Sequence, residues 1–192
     1  MNLPNKLTVL RIILAPLFLV LALWEFPFHY AAALVVFIAA ALTDMFDGKI
    51  ARARGLITNF GKFLDPLADK MLTTAAFLLF MAKGQMNVWA LFLVLTREFM
   101  VTSVRLIAAK DGKVIAASFW GKLKTVAQFI AIIYTLTAME FATWQTFLSL
   151  PAAAFSVPLV VGQVFIWISV VLTLIAGVEY VWQNREYFKN EK

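Results

Sequence analysis

No cysteine occurs among the 192 residues, which excludes disulfides and thiolate metal sites and leaves the redox compartment unread. His29 is the only histidine. A histidine-rich zinc centre and histidine-based acid–base chemistry are therefore excluded as main mechanisms. Charge is scarce as well: charged residues make up 15% of the chain against 62% hydrophobic, too little polar surface to cover a soluble core of this size. With a mean hydropathy of +0.85, the composition predicts one all-α, polytopic membrane domain over residues 1–192. The net charge of +6 is distributed in a way that points to an anionic membrane face and phosphate-bearing substrates, and away from nucleic acid.

Aspartate is rarer still, and it is concentrated. Of five in the chain, Asp44, Asp47, Asp65 and Asp69 fall between Thr43 and Lys70, in TDMFDGKIARARGLITNFGKFLDPLADK, while Asp111 lies apart in a charged loop. On a helix, spacings of three and four put Asp44 with Asp47, and Asp65 with Asp69, on shared faces. A turn containing Gly55 would let the two pairs meet. Four gathered carboxylates repel one another unless cations sit between them, so the cluster predicts a divalent-metal site. All-oxygen ligands favour hard ions, magnesium or manganese. A solvated salt-bridge surface with Lys49, Arg52, Arg54, Lys62 and Lys70 is the weaker reading, because the flanks are long apolar runs in which charge is costly.

Written out, the stretch is Asp44-x-x-Asp47-Gly48-x-x-Ala51-Arg52, eight residues, then Gly61-x-x-x-Asp65-x-x-x-Asp69. It resembles the CDP-alcohol phosphatidyltransferases at every signature position and gap. The resemblance implies a membrane enzyme that moves a phosphatidyl group from a CDP-linked donor to an alcohol and releases CMP. It also implies a homodimer, and Asp69 as the general base that takes the acceptor's proton; the residues alone leave the four aspartates equivalent. Gly48 and Gly61 leave room for a nucleotide or a neighbouring backbone, Ala51 keeps that face clear, and Arg52 offers a planar fork to a pyrophosphate. Glycines at membrane helix contacts are also common without any ligand.

Along the chain, apolar runs predict six transmembrane helices: from about Leu7 to Trp24, Tyr30 to Arg54, Phe60 to Ala82, Val88 to Ala109, Ser118 to Met139, and Leu159 to Trp182. No small-residue cleavage pattern follows Leu23, so the first run is read as a span and not as a cleaved signal. Trp24, Phe26, Phe28 and Tyr30 mark an interface. Glu140 to Pro158, broken by Pro151 and Pro158, is expected as an outer loop or partial helix, and the residues after Trp182 as a soluble tail. With both termini inside, 16 of the 17 Lys and Arg residues lie on one side and only Lys83 on the other, as the positive-inside rule requires. The signature then faces a polar cavity on the cytoplasmic side of the cell membrane.

Two metal ions, magnesium or manganese, held by Asp44, Asp47, Asp65 and Asp69 would neutralise the donor's pyrophosphate. Asn5 and Thr8, near the mouth of the first helix, join Asp47, Gly48, Ala51, Arg52 and Gly61 as candidates for binding the CDP donor. Arg97, Arg105, Lys122 and Lys124 are cations on the fourth and fifth helices that would hold a phosphorylated acceptor; attraction to anionic lipid headgroups is their weaker reading. The N-terminal NLPNKLTVLR and the GKLKT run from Gly121 to Thr125 resemble the phosphatidylglycerophosphate-forming branch of the family. That resemblance implies CDP-diacylglycerol as donor and glycerol 3-phosphate as acceptor. The same signature would serve cardiolipin, phosphatidylserine or inositol-phosphate lipid synthesis. From a different class, four carboxylates would suit a divalent-cation transporter, although transport places them near the bilayer midplane on broken helices, whereas here they sit beside Arg52 at helix ends.

Overall fold

The structure is a computed structural model. It describes the backbone of residues 3–54, 59–110, 118–144 and 151–185, with side chains except at 3–4, 44–54, 59–66, 69, 106, 109–110 and 152–153. Six helices and no strand are found among these residues: α1 Leu3–Leu23, α2 His29–Arg54, α3 Asn59–Ala82, α4 Val88–Lys110, α5 Phe119–Thr143 and α6 Ala152–Gln183. The predicted turn with Gly55, the loop after Lys110, the middle of the Glu140–Pro158 segment and the last residues of the tail lie outside the described residues.

Three boundaries correct the sequence reading. Helix α1 begins at Leu3, not near Leu7, because Pro4 in the first turn gives up only an amide that has no intrahelical partner there. Helix α5 runs one turn past Met139. Helix α6 starts at Ala152 and not near Leu159, and carries Pro158 inside it, so of the two expectations for Glu140–Pro158 its last residues take the partial helix; an apolar helix tolerates an early proline where neighbouring helices support the freed carbonyl. Elsewhere local chemistry sets the ends. Gly84, at φ 72°, closes α3 with Gly84 N–H donating to Met81 O and Gln85 N–H to Phe80 O, the left-handed glycine stop. Ser118 opens α5 by accepting the Gly121 N–H at 3.1 Å, a side-chain cap.

The packing divides into two interlocked groups. Helix α1 lies against α2 and α3, α5 against α6, and α4 against α6, with α2, α3 and α5 joining the groups. Small buried residues, Ala15, Ala22, Ala33, Ala40, Ala75 and Ala76, let α1, α2 and α3 approach closely. The remaining core is large and apolar, with Phe18, Phe37, Phe77, Phe80, Ile132 and Leu136. At the end of the bundle formed by the start of α2 and the end of α5, Glu140 accepts hydrogen bonds from Ala31 N–H and Trp144 Nε1–H, both at 3.0 Å. A side chain from α5 thus satisfies a free amide in the first turn of α2.

Many large apolar side chains are exposed along the described helices. Ile13, Val20, Val160, Val164, Trp167 and Val171 all point outward. Trp24 and Trp89 are exposed at one end of the bundle, Phe119 and Trp182 at the other, which is the pattern of aromatic belts at two membrane faces. By length and composition, Asn5–Leu23, Phe119–Thr143 and Ala154–Gln183 are long and apolar enough to cross a membrane, while α2 and α3 contribute shorter apolar segments, His29–Thr43 and Lys70–Ala82. In those two helices the charged signature occupies the rest of the length. Arg97, Glu98 and Arg105 interrupt α4.

Candidate functional site

The two halves of the aspartate signature occupy the ends predicted for them. Asp44 and Asp47 are in the C-terminal part of α2, Asp65 and Asp69 in the N-terminal part of α3, so the spacings of three and four place each pair on one helical face. The side chains of Asp44, Asp47, Gly48, Ala51, Arg52, Gly61, Asp65 and Asp69 lie outside the described residues. Among the described residues no three His, Asp or Glu side chains come together as a metal site would require.

Helix α1 carries a polar face to this end of the bundle. Asn5, Thr8 and Arg11 are buried, followed on the same face by Ala15, Phe18 and Ala22; steps of three and four keep them in one stripe, and α1 packs on α2 and α3. None of Asn5, Thr8 and Arg11 is without an interaction. Arg11 is not among the donor-side residues that the sequence predicts. Its signal was its register with Asn5 and Thr8.

The second polar assembly lies where α3, α4 and α5 meet, and its centre is Glu98. The carboxylate takes Arg97 Nη1 at 3.1 Å and Lys70 Nζ at 3.3 Å, and is hydrogen-bonded to Lys124 Nζ. Arg97 and Lys124 are buried. Lys70, the residue after Asp69, also donates to the Glu98 carbonyl at 2.7 Å and to Thr102 Oγ1, and the Thr102 hydroxyl donates to that carbonyl at 2.7 Å. A narrow cavity of about 40 Å³ beside the cluster is lined in part by Lys70, Glu98, Lys124 and Gln128. Gln128 is buried and leads to Thr173 of α6 at 3.4 Å.

The four cations predicted to hold the acceptor do not all gather. Arg97 and Lys124 share Glu98. Arg105 is exposed further along α4, its guanidinium 5.8 Å from the centre of the Tyr180 ring, and Lys122 is exposed. Neither Lys70 nor Glu98 is among the site residues the sequence predicts, and the structure places both in the cluster.

The buried cations Arg97 and Lys124, with Lys70, meet their anion in the Glu98 carboxylate at the junction of α3, α4 and α5, next to the turn of α3 that carries Asp69. Over its length the chain is similar to named enzymes. It is 38% identical to the CDP-diacylglycerol–glycerol-3-phosphate 3-phosphatidyltransferase of Bacillus subtilis (strain 168), over 98% of this chain and 97% of that one. It is 41% identical to a probable phosphatidylglycerophosphate synthase of Mycobacterium tuberculosis (strain H37Rv), over 94% and 80%, and 32% identical to the CDP-diacylglycerol–glycerol-3-phosphate 3-phosphatidyltransferase of Rickettsia bellii, over 97% of each. Residues 1–175 match the model of the CDP-alcohol phosphatidyltransferases, and the chain belongs to that family.

Proposed function

We propose that this protein transfers the phosphatidyl group of CDP-diacylglycerol to sn-glycerol 3-phosphate, giving phosphatidylglycerophosphate and CMP. The observation that carries the acceptor is the meeting of two buried cations, Arg97 of α4 and Lys124 of α5, at the carboxylate of Glu98. A phosphate monoester brings two or more anionic oxygens to these paired cations; serine, free glycerol and inositol bring no phosphate.

CDP-alcohol phosphatidyltransferases are generally dependent on a divalent metal. Asp44, Asp47, Asp65 and Asp69 fit such an ion by their chemistry, since they are oxygen donors paired on the faces of two helices, and they would hold two magnesium ions, or manganese. When bound, the metal supplies positive charge against the donor's pyrophosphate. The chain's own residues do the rest. Arg52 offers paired N–H groups to a phosphate, while Asn5 and Thr8 line the donor side from α1, and Gly48, Ala51 and Gly61 keep the approach open. Asp69 takes the proton from the acceptor hydroxyl as that oxygen bonds to the lipid-side phosphorus and the bond to CMP breaks. Arg97 and Lys124 hold the acceptor's phosphate, with Arg105 and Lys122 drawing it in from the surface.

The single domain of residues 1–192 spans the cell membrane six times as a homodimer, with both termini, the signature and its polar cavity on the cytoplasmic side. The outward apolar surface, the aromatic residues at both ends and the one-sided distribution of Lys and Arg support the membrane placement and its orientation. The purified protein is tested with CDP-diacylglycerol, magnesium and a panel of alcohols. Release of CMP with glycerol 3-phosphate, and little with serine, inositol, inositol phosphate or glycerol, is the expected result.

A further inference from the structure

Lys70 and Glu98 touch neither substrate in the reaction proposed above, yet each ties parts of the cluster together. The Lys70 ammonium donates to two acceptors on α4, the Glu98 carbonyl and Thr102 Oγ1, and forms an ion pair with the Glu98 carboxylate at 3.3 Å. Three contacts to one helix make Lys70 a strut between α3 and α4. It leaves α3 one residue after Asp69. The Glu98 carboxylate at its far end is also the partner of Arg97 from its own helix and of Lys124 from α5. A single carboxylate therefore links the turn of α3 that bears Asp69 to both buried cations.

We infer that Glu98 and Lys70 are positioning residues, which set the register of Asp69 against the cations that hold the acceptor's phosphate. The inference rests on the acceptor reading given above. Without Glu98, Arg97 and Lys124 repel each other at close range in a medium of low dielectric, and they turn away from their common point. Without Lys70, the cations keep Glu98 but the turn carrying Asp69 loses its tie to α4. The two residues thus act on different steps. Glu98 governs the affinity for the acceptor's phosphate and the reaction rate together; Lys70 governs the rate alone, since a displacement of about 1 Å at a reacting group costs on the order of 10²-fold.

The test is steady-state kinetics of the full-length protein in detergent or vesicles, with glycerol 3-phosphate and CDP-diacylglycerol varied in turn. Glu98→Gln is expected to raise the KM for glycerol 3-phosphate at least tenfold, with the donor KM within about twofold of wild type, and Glu98→Asp to recover most of that loss. Lys70→Met is expected to lower kcat 10- to 100-fold with the acceptor KM unchanged. Normal acceptor KM in Glu98→Gln, or equal KM values in Glu98→Asp and Glu98→Gln, would overturn the role of Glu98. A Lys70→Met variant that shifts KM and not kcat would overturn the strut, and this measurement stands even if Glu98→Gln does not fold. A wild type that uses unphosphorylated alcohols as readily as glycerol 3-phosphate would instead defeat the acceptor reading, whatever the variants do.

Discussion

Gly177 of α6 lies directly beneath Arg97 of α4: a Cβ built on the glycine would stand 2.8 Å from the Arg97 Cγ. That is the middle of the side chain and not its flexible end, so any residue larger than glycine moves the guanidinium. Arg97 is buried, and among the described residues its Nε has no hydrogen-bond partner. Gly177→Ala is therefore expected to raise the acceptor KM severalfold and leave the donor KM unchanged, with overpacking costing about 1–3 kcal/mol of stability. Kinetics beside a thermal-inactivation curve check both. An unchanged acceptor KM would mean that Arg97 does not touch the acceptor.

The cations should separate in rank. A charge-assisted hydrogen bond is worth roughly 1.5–3 kcal/mol, so Arg97→Gln and Lys124→Gln should each raise the acceptor KM about 10- to 150-fold. Arg105→Gln and Lys122→Gln, at exposed positions, should cost less and lose their effect at high salt, where surface charges are screened. Acceptor kinetics in low and high salt decide it. Equal losses in all four would place the phosphate nearer the surface than Glu98.

The aspartates should divide by role. Asp44→Asn, Asp47→Asn and Asp65→Asn each remove a charged oxygen donor, so direct manganese binding, followed calorimetrically, should weaken along with activity. Asp69→Asn should lower turnover by ~10²–10⁴-fold, the range of general acid–base catalysis, and leave the affinity for CDP-diacylglycerol largely intact. If donor affinity in Asp69→Asn fell as far as in Asp44→Asn, Asp69 would be chiefly a ligand.

Glu140 offers a prediction away from the chemistry. Its carboxylate accepts from Ala31 N–H and Trp144 Nε1–H, and Glu140→Ala leaves both donors without that acceptor at a cost of about 1–3 kcal/mol each where they are buried. The melting temperature should fall in Glu140→Ala and less in Glu140→Gln, which retains an acceptor oxygen. Activity per folded molecule should not change.

Much of this fold is written in the apolar runs. Helices α2, α3 and α4 begin and end within about a residue of where the hydrophobic pattern and the charges at its edges place them. The start of α6 was not legible, because Pro158 reads as a stop when only its missing N–H is considered, whereas the apolar helix around it continues. The candidate site divides in the same way. The spacing of the aspartates names both helix faces in advance, since local periodicity determines which side chains share a face. The Glu98 hub joins residues 26 and 28 positions apart on three helices. Which faces of α3, α4 and α5 turn toward one another depends on packing between helices, and periodicity within a single helix carries no information on it.

Orientation has a clean test, because the chain contains no cysteine. With both termini and the α2–α3 connection in the cytoplasm, Thr58→Cys should resist an impermeant thiol reagent in intact cells and react once the membrane is opened. Lys83→Cys should react in intact cells. The reverse pattern would invert the topology.

A phosphorylated glycerol as acceptor carries its carbon skeleton into the lipid, which is tested most directly by supplying purified protein with CDP-diacylglycerol and glycerol 3-phosphate labelled in the glycerol carbons, and measuring CMP and lipid-borne label together. Label is expected in a lipid that retains the acceptor's phosphate, formed one for one with CMP and lost in Asp69→Asn. CMP release without labelled lipid, or lipid formed as readily from free glycerol, would contradict it.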